Sequence, residues 1–218
     1  MNIAAILFDV DGTLLDTGEY ILASYRHATK LYKFPPITRE MVIAAGGRPL
    51  EEVYAQYCPG GDISALCLAH RTFQQHHPEI AKPFPGVNAT LQTLTNAGIK
   101  TAAISTRHLT VRSTLEQAGL TPYLHVIISG EEVKRSKPDP EGIFRCLNDL
   151  GVAPAAALMV GDMRVDIEAG KNAGVGTVAA TYGLYRSDQF LGCQPDYRIN
   201  RISELPDLVY RLTERGSS

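Results

Sequence analysis

The stretch "AALMVGDMRVDIEAGKNAGVGTVAAT" (residues 156–181) reads as strand, helix and strand in one continuous unit. Its two short apolar runs, 156–161 and 175–181, lack polar alternation, which suits strands covered on both faces of a parallel sheet. The segment 164–173 between them has helical spacing and stops at Gly174, a residue type that takes the left-handed C-terminal cap without strain. A parallel pair needs such a crossover, and the crossover is right-handed.

The same rhythm extends upstream. "IKTAAIS" (99–105) and "LHVIIS" (124–129) are further apolar runs, and helical segments at 88–97, 109–118 and 140–150 end at Gly98, Gly119 and Gly151. "NIAAILF" (2–8) supplies one more strand from far away in sequence, and "PDYRIN" (195–200) a last edge strand. Residues 203–215 read as a closing helix capped by Ser203. The expectation is an α/β fold with a doubly wound, mostly parallel sheet. Residues 17–80 break the rhythm with helical segments and no convincing strand. Those segments are 19–32, 39–45 capped by Thr38, 50–57 with Pro49 in its first turn, and 63–76 capped by Asp62. Hinge-like flanks lie at 16–19 and 82–87. The expected organisation is a helical module at 17–82 inserted into an α/β core of 1–16 and 83–218.

Composition narrows the class. The chain has 218 residues, 44% of them hydrophobic, with 21 basic against 23 acidic side chains. That balance leaves no basic footprint for nucleic acid or an anionic membrane. There is no Trp, and no apolar stretch approaches the roughly 20 residues that span a bilayer. The first apolar run lacks a basic leader and is interrupted by Asp9 and Asp11, unlike a signal peptide. Cys58, Cys67, Cys146 and Cys193 match no zinc or redox spacing and read as reduced thiols. A cytosolic address, with neither membrane nor nucleic-acid partner and no obligate protein partner, is expected.

An open parallel sheet binds its ligand beyond the carboxyl ends of its strands, and polar groups cluster there. The first strand runs into "FDVDGT", placing Asp9 and Asp11 two residues apart before Gly12 and Thr13. An Asp-Gly turn accounts for the second carboxylate but not for the first. Two such carboxylates repel unless a cation or a shared proton relieves them, and a hard divalent cation such as Mg²⁺ suits oxygen ligands. The strand at 99–105 closes on Ser105, followed by Thr106 and Arg107. A hydroxyl and nearby main-chain N–H groups there would grip an anionic oxygen. Lys137 sits in the loop "RSKPDP", and the strand at 156–161 ends in Gly161-Asp162, with Asp166 one helical turn on. Each feature has a plain structural explanation: a turn, a helix cap or a solvated lysine. Their succession at the ends of consecutive strands does not.

In this order the four motifs resemble the haloacid dehalogenase (HAD) superfamily phosphatases. "DVDGT" is similar to that family's first motif, Ser105 to the second, Lys137 in "SKPDP" to the third and "GDMRVD" to the fourth. The resemblance implies that Asp9 is the nucleophile forming an aspartyl-phosphate, and that Asp11 protonates the leaving oxygen and then activates water. It implies Mg²⁺ on the carboxylates of Asp9 and Asp162 and the main-chain carbonyl of Asp11. Ser105 and Lys137 would hold phosphoryl oxygens, with Thr106 beside them. Asp166 would orient Lys137 or a metal-bound water, and Gly12 would permit the sharp turn after Asp11.

The helical insert is similar to the small cap of the phosphoglycolate phosphatase-like branch, whose glycine-containing loop would here be "AAGGRPL" (44–50), offering Arg48 to the substrate. "YGLY" (182–185) resembles that branch too, whereas 16–32 and 71–87 are also similar to bacterial pyrophosphatases of the same family. The implied partner is a small phosphorylated metabolite, phosphoglycolate-like, with pyrophosphate and a β-phosphoglucomutase-like isomerisation as alternatives. Because Asp11 is present, dehalogenation is disfavoured. The lack of lysine between residues 34 and 81 argues against a Schiff-base phosphonate hydrolase.

Overall fold

The computed structural model describes residues 2–46, 48–108, 110–183, 190 and 192–215. Gly47 of the "AAGGRPL" loop, Leu109 at the expected start of a helix, and Leu184 and Tyr185 of "YGLY" lie outside the described residues. The sheet is built from β1 (Ala5–Asp9), β4 (Lys100–Ile104), β5 (Val126–Ile128), β6 (Ala157–Gly161), β7 (Gly176–Ala180) and β8 (Tyr197–Ile199). Its order is β5-β4-β1-β6-β7-β8, and every pairing is parallel. The chain moves from β1 outward through β4 to β5, then returns to the other side of β1 with β6. That reversal puts a crevice at the carboxyl end of β1.

Burial explains the winding. Alternate residues of β1 serve opposite faces: Ile6 and Phe8 join one core, Ala5 and Leu7 the other. The first core is closed by α5 (Val87–Asn96), α6 (Thr110–Gln117) and α9 (Leu205–Arg215), through Leu91, Leu115 and Leu208. The second is closed by α7 (Glu141–Leu150) and α8 (Arg164–Ala173), through Ile143, Leu147 and Ala169. Gly98, Gly119, Gly151 and Gly174 all have positive φ at or just beyond helix ends, as left-handed termination requires.

Residues after β1 form α1 (Gly18–Leu31), α2 (Arg39–Ala45), α3 (Leu50–Tyr57) and α4 (Ile63–His76). These helices bury Leu22, Tyr25, Val53, Tyr54 and Leu66 against one another in a core of their own. Thr38 accepts the Met41 N–H at 3.3 Å, and Asp62 accepts the Ala65 N–H at 3.0 Å, which closes two helix starts. At the flanks, β2 (Leu15–Asp16) and β3 (Lys82–Pro83) pair antiparallel, so the outgoing and returning chains are clasped side by side. Two-residue strands have no readable period, so the sequence reading of these hinge-like flanks did not include them.

Two expected caps are corrected. Pro49 lies just before α3 rather than inside its first turn, with its carbonyl accepting from Glu52 and Val53 N–H. Ser203 lies inside a 3₁₀ turn at Ile202–Glu204 and caps nothing, because that turn runs directly into α9. Among the described residues no helix is long and apolar enough to cross a membrane.

Candidate active site

β1 is buried along its whole length, so Asp9, its last residue, is delivered to the crevice as a carboxylate with little water around it. Asp11 follows after one residue because Gly12, at φ 87°, turns the chain back toward Leu15. A Cβ at Gly12 would lie 2.2 Å from Asp162 Oδ2, so this glycine serves both the turn and the close approach of β6. Gly161 allows the close approach of α8: a Cβ there would strike the Asp166 side chain at 2.3 Å. Asp162 and Asp166 are therefore brought to the end of β1 by one turn and one strand–helix junction that admit no side chain. Gly183, just beyond β7, packs closely on Asp162 and Gly12: a Cβ there would lie 2.4 Å from Asp162 Oδ2.

Lys137 reaches in from the loop before α7. Its Nζ donates to Asp9 Oδ1 at 2.5 Å, to Asp166 Oδ1 at 2.6 Å and to the Ile104 carbonyl at 3.3 Å. Asp166 Oδ2 accepts the Met163 N–H at 3.0 Å, so both of its oxygens are engaged. Carboxylate oxygens of Asp9, Asp162 and Asp166 lie within 4.8 Å of one another, all buried.

The electrostatics follow from that crowding. Burial pushes the Asp9 carboxyl up to about 7; Lys137 pulls it back, while Asp166 and Asp11 add to the rise. Burial, then Asp9 and Asp166, hold Asp162 well above the ordinary carboxylate range. Burial alone would lower Lys137, but Asp166 and Asp9 outweigh it and raise it. Four carboxylates, counting Asp11, face two cationic side chains, Lys137 and Arg107. An all-oxygen donor set with this excess of negative charge fits a hard divalent cation.

Asp11 stands apart from the three clustered acids. Its Oδ2 accepts Arg107 Nε–H at 2.8 Å and lies 3.5 Å from Ser105 Oγ. Ser105 Oγ also accepts the Arg107 main-chain N–H at 3.1 Å. Thr106 lines the cavity next to Ser105. Arg48 borders the same cavity but is turned onto its own helices, donating to the Ala45 carbonyl at 3.0 Å and to Gln56 at 2.9 Å. The structure thus gathers Asp9, Asp11, Gly12, Ser105, Thr106, Lys137, Asp162 and Asp166, and leaves Arg48 on the opposite wall. Arg107 was not singled out among the sequence candidates. A lone arginine after a strand reads as a solvated loop residue, and only the fold shows its carboxylate partner.

The cavity has a volume of about 510 Å³ and lies between the four helices and the strand ends. Asp9, Asp11 and Lys137 line its floor, while the opposite wall mixes the apolar Tyr25, Val42 and Leu50 with the polar Arg48, Arg71 and Gln74. At that wall, Tyr54 Oη meets His70 Nδ1 at 2.9 Å, and Gln74 Nε2 meets His70 Nε2 at 3.1 Å. His70 is fully enclosed, and burial, helped by Arg71 and Arg107, pushes it down to about 3.

A consequence for acid stability follows. Below pH 6.5 the unfolded chain protonates this histidine while the folded one does not. Its contribution is therefore complete above 6.5 and is lost as pH falls toward 3, at up to about 1.4 kcal/mol per pH unit. His70→Gln is expected to show a visibly flatter decline in urea midpoint between pH 6.5 and 4 than the parent protein. Parallel slopes would show that His70 is already charged in the folded state.

Comparison with known proteins is consistent along the chain. The family model for haloacid dehalogenase-like hydrolases matches residues 6–180. The chain is 32% identical over 210 residues to a protein of Halalkalibacterium halodurans named pyrophosphatase PpaX, covering 96% of this chain and 98% of that one. Among solved structures, a haloacid dehalogenase-like hydrolase of Bacteroides fragilis superposes with a TM-score of 0.85 at 27% identity, covering 94% of this chain and all of its own. A predicted phosphoglycolate phosphatase of Haemophilus somnus shares the fold with a TM-score of 0.82 at 22% identity, over 95% of this chain and 98% of that one.

Proposed function

The chain belongs to the haloacid dehalogenase-like hydrolases, and from that membership we propose a Mg²⁺-dependent phosphohydrolase working through an aspartyl-phosphate on Asp9. One observation carries the reading. Asp9, Asp162, Asp166 and Lys137 meet in a buried cluster at the ends of β1 and β6, on the floor of a cavity that Asp11 also lines.

In the proposed sequence, an oxygen of Asp9 attacks phosphorus while the bond to the leaving oxygen breaks, and Asp11 supplies that oxygen with a proton. Asp11 then takes a proton from water as the water attacks phosphorus and releases Asp9. Lys137 and Ser105 hold the phosphoryl oxygens, with Gly12 and Thr106 bordering them. Asp9, Asp162 and the main-chain carbonyl of Asp11 would hold Mg²⁺, with Asp166 in a supporting place because its oxygens are already engaged. When bound, the cation supplies positive charge where the nucleophile meets a phosphate dianion. Residues 17–82 act as a cap over a core of 1–16 and 83–218, moving on the clasped flanks.

The substrate is a small organic phosphomonoester, phosphoglycolate-like. Tyr25, Val42 and Leu50 give part of the cavity wall an apolar surface that an organic group can contact, beside Arg48 and Arg71. Pyrophosphate is the second reading, favoured by the name of the Halalkalibacterium relative. Mg²⁺-dependent phosphate release from phosphoglycolate, pyrophosphate, sugar phosphates and nucleotides tests both. A kcat/KM for phosphoglycolate at least about tenfold above that for pyrophosphate is expected. The reverse order would make the enzyme a pyrophosphatase, and no release with any metal would sink the hydrolase reading.

A further inference from the structure

We infer that Arg107 is the positioning residue for Asp11, fixing the orientation of the carboxyl group by holding one of its oxygens. The inference rests on the proposed reading of Asp11 as proton donor and goes beyond it by assigning the group that aims the donor.

The geometry is specific to one oxygen. Arg107 Nε–H donates to Asp11 Oδ2 at 2.8 Å, with the two side chains 11% and 19% exposed. Asp11 Oδ1 is buried and has no hydrogen-bond partner among the described residues. A carboxyl group that rotated freely would offer either oxygen to the substrate, in two orientations. Here rotation breaks a charge-assisted hydrogen bond in a weakly hydrated place, so the carboxyl group is held in one orientation.

The guanidinium is itself braced. Nη1 donates to Thr114 Oγ1 at 3.3 Å, and Thr114 spends its own hydroxyl proton on the Thr110 carbonyl at 2.6 Å, so its lone pairs face Arg107. The guanidinium carbon lies 5.3 Å from the centre of the Tyr20 ring, and Tyr20 is anchored by donating to the Gln74 carbonyl at 3.0 Å. The Arg107 main-chain N–H is tied to Ser105 Oγ at 3.1 Å. The arginine thus ties Asp11 to β4, to α6 and to α1 and α4 of the insert.

The proton step balances. As the phosphorus–oxygen bond of the ester breaks, its electron pair goes to the leaving oxygen, which takes the proton from the Asp11 carboxyl group. The electrons of that O–H bond remain on the carboxylate, whose Oδ2 is held by the guanidinium. Asp9 meanwhile forms the new bond to phosphorus.

A leaving oxygen that is already stable as an anion needs little help from a proton donor, whereas an alkoxide needs it strongly. The test compares p-nitrophenyl phosphate with glycerol phosphate at saturating Mg²⁺ in wild type, Arg107→Ala, Arg107→Lys and Thr114→Val. Arg107→Ala is expected to lower kcat on glycerol phosphate about 100-fold and on p-nitrophenyl phosphate only a few-fold, with KM nearly unchanged for both. Arg107→Lys and Thr114→Val should give the same bias at smaller size, and they decide the matter if Arg107→Ala does not fold. Equal losses on both substrates, or a rise in KM alone, would overturn the inference. Asp11→Asn on the same pair separates the two levels. A leaving-group bias there but not in the Arg107 variants removes Arg107 only. No bias in Asp11→Asn removes the assignment of Asp11 as well.

Discussion

Asp9→Asn is expected to abolish phosphate release, by at least about four orders of magnitude in kcat, without unfolding the protein. An amide oxygen is a poor nucleophile toward phosphorus, and the substitution removes the charge without changing the shape. The Asn carbonyl can still accept from Lys137, which also keeps its 2.6 Å contact with Asp166. The same variant should change stability in the opposite direction in chelator. Asp9 is raised to about 7 in the folded protein from an ordinary 3.8, so it favours folding below 3.8 and loses that contribution as pH rises through 7. Wild type in chelator should therefore lose thermal stability between pH 5 and 8, and Asp9→Asn should lose less. Circular-dichroism melts with a phosphate-release assay check both halves. Activity surviving in Asp9→Asn would remove Asp9 as nucleophile, and identical pH slopes would remove the claim that crowding strains its charge.

The parallel sheet was legible because its strands are buried on both faces and so carry continuous apolar runs, and because Gly98, Gly119, Gly151 and Gly174 punctuate the helices between them. The convergence of Asp9, Ser105, Lys137 and Asp162 was legible for a related reason. Parallel strands point their carboxyl ends the same way, so residues at successive strand ends must share one edge of the sheet. What escaped depends on contacts between elements that no spacing encodes. Arg107 owes its orientation to Thr114, Tyr20 and Asp11, which come from three separate elements. Arg48, expected to face the substrate, satisfies its donors on Ala45 and Gln56 instead, and nothing in "AAGGRPL" distinguishes the two outcomes. Ser203 is a good capping residue by type, yet the 3₁₀ turn at Ile202–Glu204 takes its place.

Lys137→Ala should be the most destabilising single change at the site as well as an inactivating one. The lysine is 5% exposed and makes two ion pairs, with Asp9 and Asp166. Removing it leaves Asp9, Asp162 and Asp166 within 4.8 Å of one another without their ammonium partner. Breaking a buried ion pair from one side typically costs about 3–5 kcal/mol, because the remaining charge is neither hydrated nor matched. Urea unfolding in chelator at pH 7.5 should register a loss of that size. Activity should fall by at least about 100-fold, since in the proposed mechanism Lys137 is the cation that meets the transferred phosphoryl. The double variant Lys137→Ala with Asp166→Asn separates the two effects. Neutralising Asp166 relieves the repulsion, so part of the lost stability should return with a coupling of about 1–3 kcal/mol, while activity stays low. Mg²⁺ should also stabilise Lys137→Ala more than wild type, because a divalent cation would then be the main charge opposing three carboxylates. A Lys137→Ala protein as stable as wild type in chelator would mean that the buried ion pairs do not hold in solution. The electrostatic account of the site would then fail at its centre.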